Sequence, residues 1–161
     1  LQMTVCHWLR PLAECNCGKS RMKLGFGNML VVYGLTAGVF FIIDLFWLGA
    51  AAKGLYERHI GSLLRENVNW TAAILFYLMY IGGIQFFVLI PAIQEGDGIL
   101  RTALTGGALG FFAYCTFDLT CLALIRNWSL FISVIDIIWG TLLTGFTSAV
   151  TLWLVRRFSI G

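Results

Sequence analysis

Three aspartates carry the chemistry this sequence offers, because Asp44, Asp118 and Asp136 each stand alone in a long apolar run. A carboxyl inside a membrane pairs with a polar neighbour, keeps a proton, or binds a cation or a ligand. Asp44 and Trp47 are three residues apart, as are Asp136 and Trp139, so each acid shares a helix face with an indole N–H one turn on. Tyr114 precedes Asp118 by four, Cys115 and Cys121 each lie three from it, Ser133 precedes Asp136 by three, and Tyr80 follows Tyr77 by three. No Lys or Arg accompanies them, so their partners must be hydroxyls, indoles, one another's protons, a cation or a ligand.

Counting along the chain sets these residues at one depth. Asp44 lies eight residues before Ala52 and Asp118 eight before Arg126, while Asp136 lies nine after Asn127 and Tyr77 seven after Trp70. With alternating helix directions, a rise of about 1.5 Å per residue brings all four to roughly 12 Å below the same surface. The elements that must hold them are four apolar helices, expected at residues 26–52, 70–93, 101–126 and 129–156, each long enough to cross a bilayer. The second is expected to end about Pro91, before the acidic turn 94–98. Between the first two, Leu55, Tyr56, Ile60, Leu63 and Leu64 recur at helical spacing among charged residues, which predicts a short helix at 55–65 lying on the membrane surface. The fold class is all-α: an integral membrane four-helix bundle with that surface helix, preceded by a polar tail, so that residues 1–24 and 25–161 form two units.

Composition supports the same class. Of 161 residues 59% are hydrophobic and 12% charged, where a soluble domain carries about a quarter charged. The net charge is only +3 and the basic residues cluster at span ends, which argues against a nucleic-acid partner and for membrane lipids. Lys and Arg number seven on the side of the two termini and four on the other, which predicts both termini on the cytoplasmic, stromal or matrix side. The odd count of five cysteines leaves the redox compartment open.

The acidic layer has two readings. A protonated Asp can be plain interhelical glue, and three at one depth can instead form a pocket made of Asp44, Trp47, Tyr77, Tyr80, Tyr114, Asp118, Asp136 and Trp139. Other features are expected to be structural. Gly34 with Gly38 and Gly106 with Gly110 are GxxxG pairs suited to close helix packing. Trp70, Trp128, Tyr56 and Trp153 fall near span ends, where aromatic rings anchor at the interface. Cys6, His7, Cys15 and Cys17 are metal-ligand types, but an adjacent Cys-His pair and a Cys-x-Cys close a tetrahedron poorly, so no metal is assigned. No motif of a hydrolase, zinc protease or phosphate-binding loop is present.

Several strings resemble a family of small bacterial four-helix integral membrane proteins known only as a domain of unknown function. They are Asp44-Leu-Phe-Trp47-Leu-Gly49, Asn69-Trp70 leading to Phe76-Tyr77-Leu-Met-Tyr80, Tyr114-Cys-Thr116-Phe-Asp118-Leu119-Thr120, and Asp136-Ile-Ile-Trp139-Gly140. The resemblance covers about residues 28–155, with motifs in all four spans in order. It implies the fold and a shared residue set, and no activity. This chain has Phe117 where the family pattern has Tyr, Cys121 where it has Asn, and Ser129 where it has Pro.

Three functions are expected to compete. The first is a non-catalytic accessory subunit of a larger photosynthetic or respiratory complex, organellar (thylakoid or inner mitochondrial), whose tail is held by other membrane subunits. It has no catalytic residues, and bound lipid or a few pigments, for instance at Gln85, would be its cofactors. The second is a small transporter or proton-linked carrier using the intramembrane acids. The third is an enzyme acting on a lipid or quinone.

Overall fold

A computed structural model describes residues 25–64 and 67–160 of the chain. The polar tail, and with it Cys6, His7, Cys15 and Cys17, lies outside the described residues. Four helices are long and apolar enough to cross a membrane: Phe26–Ala50, Trp70–Glu95, Ile99–Leu124 and Leu130–Arg157, called spans one to four. They fall within a few residues of the expected bounds, and no strand occurs among the described residues.

Local chemistry sets their ends. Asn69 caps span two by accepting from Ala72 N at 3.2 Å, and Ser129 caps span four by accepting from Ile132 N at 3.4 Å. Span two does not stop at Pro91. Its helix Trp70–Ile84 widens into a π-helix over Gln85–Leu89, where Ile90 N–H bonds to the Gln85 carbonyl five residues back, and continues as Ile90–Glu95. The wide turn makes room for a proline ring that would otherwise press on the carbonyl four residues earlier. Gly96 then ends the helix at φ 65°, a left-handed conformation, with Asp97 N bonded to Ala92 O at 2.8 Å.

The short helix expected between the first two spans is present, and it continues span one in one helical path. A second π-helix, Leu48–Ala52, carries span one's helix Phe26–Trp47 into the helix Lys53–Ile60, followed by a 3₁₀ turn Gly61–Leu63. That helix folds inward over the bundle end, so that Ile60 is buried.

Span four is the centre, with twelve buried residues from Ile132 to Val155. Span three packs on it through small residues. A Cβ on Gly106 would strike the Ser148 side chain, and one on Gly110 would strike the Gly140 carbonyl and stand 2.7 Å from Thr144 Oγ1. In lipid, where the hydrophobic effect does not drive helices together, such close contact supplies the packing energy. Gly34 and Gly38 depart from expectation. Among the described residues a Cβ on either would meet nothing within 4 Å, because span one turns Val32, Thr36, Phe40 and Asp44 inward and leaves the glycine face outward. Span two is uneven along its length: none of residues 70–80 is buried, whereas Ile81, Ile84, Val88 and Leu89 are.

Candidate functional site

Where span two is unburied, the bundle holds a half-open cavity of about 500 Å³, within the usual range for small-molecule sites. Every span contributes to it. Span one gives Asp44 and Trp47, span two Phe76, Tyr77 and Tyr80, span three Tyr114 and Phe117, and span four Asp136 and Trp139. The inward-folded helix adds Tyr56 and Ile60, and the turn before span four adds Trp128.

The two acids in the wall are bonded between helices. Tyr77 Oη donates to Asp44 Oδ2 at 2.8 Å, joining spans two and one, and Tyr56 Oη donates to Asp136 Oδ1, joining the covering helix to span four. Both carboxyls are buried. The Trp47 and Trp139 rings stack at 4.4 Å between centroids, so the two Asp-x-x-Trp turns meet face to face across spans one and four. The Trp139 indole N–H lies beside Asp44 but makes no hydrogen bond among the described residues.

The floor of the cavity is built from hydroxyls and rings. Thr144 Oγ1 donates to the Gly140 carbonyl at 2.7 Å, and Tyr80 Oη lies 2.8 Å from that same Oγ1 as its donor. Phe40, fully buried, meets Tyr77 and Tyr80 edge-on at 6.1 and 5.8 Å and fixes both rings. Tyr114 lies against Gly140, where any Cβ would enter its ring. Its hydroxyl makes no hydrogen bond among the described residues and faces the cavity.

Asp118 stands apart. It is fully buried, it does not line the cavity, and neither of its oxygens has a hydrogen-bond partner among the described residues. Ser133 and Trp128 are its polar neighbours, themselves joined by Trp128 Nε1 donating to Ser133 Oγ at 3.0 Å. The expected layer therefore separates into a cavity with two acids and a third acid behind its wall.

Two aromatic residues expected at the interface take other places. Tyr56 is bound to Asp136, and Trp128 closes the cavity between Phe117 and Ser133, whereas Trp70 and Trp153 are exposed on the outer surface. The signal for Tyr56 was its spacing with Ile60 on the apolar face of an amphipathic helix, four residues apart. Burial and the hydrogen bond to Asp136 raise the Tyr56 phenol above its ordinary range, so it remains a donor. Gln85, considered for an edge-bound pigment, points inward and donates from Nε2 to Met29 O at 2.9 Å.

Chemically, the site can receive a positive charge. Among the described residues its lining holds two carboxyl groups, nine aromatic rings and no Lys or Arg. His59 stays outside, with its ring on Leu55 O and Phe131, and no group of three or more metal-ligating residues gathers among the described residues.

No curated protein and no solved structure matches the chain. The model of the family described as predicted membrane protein, DUF2177, matches residues 29–153. With a match that covers most of its length, and with four helices long and apolar enough to cross a membrane, the chain belongs to DUF2177, a family of predicted membrane proteins.

Proposed function

We propose that the protein is a small membrane carrier that takes up a lipophilic organic cation in this cavity. One observation carries the proposal: two buried carboxyl groups share a wall with nine aromatic rings, and among the described residues no basic side chain lines it to neutralise them. Aromatic faces attract a cation by about 0.5 to 2 kcal/mol each, the more so when water is excluded, and a carboxylate in a membrane gains most from an unhydrated positive partner. Each acid has one tyrosine hydroxyl as its donor, and a cation would supply the positive partner that neither has among the described residues. The excess of Lys and Arg beside the termini supports placing them on the cytoplasmic, stromal or matrix side, so that the cavity lies in the opposite leaflet.

The test uses tetraphenylphosphonium and the purified protein, with tryptophan fluorescence as the report because Trp47, Trp128 and Trp139 line the site. Wild type should bind it, and the double variant Asp44→Asn/Asp136→Asn should bind at least about tenfold more weakly, a loss of about 1.4 kcal/mol. Equal affinity in the two proteins refutes the cation site. Uptake into proteoliposomes then separates a carrier from a passive binder.

An accessory-subunit role is favoured by one feature, the outward Gly34–Gly38 face, which suits a partner helix. Migration with a larger complex in mild detergent supports that role. Migration as a small homo-oligomer supports the carrier.

A further inference from the structure

We propose that the three acids divide the work: Asp44 and Asp136 receive the cation, and Asp118 holds the proton that the cation displaces. This rests on the cation site above and adds the ion coupled to it.

The three carboxyls differ in what they bond to. Asp44 and Asp136 line the cavity, and each accepts a tyrosine hydroxyl. Asp118 has no exposed surface, no place in the wall and no hydrogen bond to either oxygen among the described residues. An ionised carboxylate without a donor is costly in such surroundings, while a neutral carboxyl needs only an acceptor. Ser133, a polar neighbour of Asp118, has a hydroxyl that takes one hydrogen bond from Trp128 Nε1 and keeps a lone pair free to accept another.

The neighbours supply the coupling. The titratable groups around Asp118 are Asp136 and Tyr56, which line the neighbouring cavity, and Cys121, three residues on along its own helix, and all three are acids. Their charge, when present, is negative. A cation seated against Asp136 reverses that field. The O–H bond of Asp118 then breaks, its proton leaves for solvent, and the cavity region gains one positive charge and loses one. Phe117 and Trp128, which meet edge-on at 6.1 Å, both line the cavity, and Asp118 adjoins them, next to Phe117 in the chain and with Trp128 as a polar neighbour, so a cation in the cavity lies close enough to act on it through space.

Calorimetric titration of tetraphenylphosphonium into the full-length protein in detergent, run in buffers of different ionisation enthalpy, counts the protons released. Wild type should release about one proton per cation, and its affinity should rise about tenfold per pH unit while Asp118 is protonated before binding and ionised after. Asp118→Asn should still bind but release none, with affinity independent of pH. If Asp118→Asn binds and releases as wild type does, the assignment fails and the cation site stands. If wild type binds no tetraphenylphosphonium, both fall together. A second measurement needs no variant: the infrared difference spectrum of wild type on cation addition should lose a protonated-carboxyl C=O band. A spectrum without that loss overturns the assignment.

Discussion

Replacing Gly140 by alanine should act on the cavity through Tyr114. The added Cβ would overlap the Tyr114 ring, so the ring must move by on the order of 1 Å to restore a contact of about 3.5 to 4.0 Å. It cannot settle sideways cheaply, because on span three Gly110 already touches the Gly140 carbonyl. Overpacking of this kind costs about 1 to 3 kcal/mol. Tyr114→Ala removes the obstacle at its own packing cost, so the double variant Gly140→Ala/Tyr114→Ala should be more stable than additivity predicts by about 1 to 3 kcal/mol. Equilibrium unfolding in mixed micelles measures all four corners of the cycle, and tetraphenylphosphonium binding to Gly140→Ala should weaken as the ring is pushed toward the cavity. Additivity within about 0.5 kcal/mol would show that Tyr114 does not rest on Gly140 and would refute the packing described. Gly34→Ala, with open space around its Cβ, is the matched control and should change neither stability nor binding measurably.

Gly96→Ala should cost about 1 to 2 kcal/mol in the same unfolding assay, because φ 65° is strained for any residue with a Cβ; a silent substitution would contradict the left-handed cap. Tyr56→Phe should loosen the covering helix, seen as faster proteolysis after Lys53 or Arg58, with the four spans intact. The contribution of this phenol has a definite sign with pH. Its raised pKa means the stabilisation is complete below the ordinary value of about 10 and is lost as pH rises beyond it. Wild type should therefore lose stability in alkali more steeply than Tyr56→Phe, and parallel alkaline curves would argue against the Tyr56–Asp136 bond.

Depth was legible in the sequence and direction around the helix was not. Counting residues from polar boundaries fixes how far down Asp44, Asp118 and Asp136 lie, because rise per residue is constant. Which way each points depends on how the helices are rotated against one another, and that rotation leaves Asp118 out of the cavity lining that holds the other two. The two GxxxG pairs make the same point. Gly106 and Gly110 are used because Gly140, Thr144 and Ser148 face them in register, and nothing local to Gly34 and Gly38 could reveal that span one turns them outward. Tyr56 was missed because the π-helix at 48–52 inserts an extra residue in the turn, shifting the phase of all that follows and aiming an interfacial ring inward.

The uneven burial of span two divides the protein mechanically. From Ile81 onward this helix is clamped by protein on its inner face, while residues 70–80 are unburied among the described residues and in a bilayer would lean on acyl chains. One flank of the cavity is consequently held by a liquid. Lateral pressure and chain packing in that leaflet become part of the wall, pressing Phe76 and Tyr77 toward the acids or letting them relax, while the glycine-packed seam of spans three and four stays stiff. The bilayer is then a working component of the site as well as its solvent, and the same polypeptide presents a differently sized chamber in membranes of different composition.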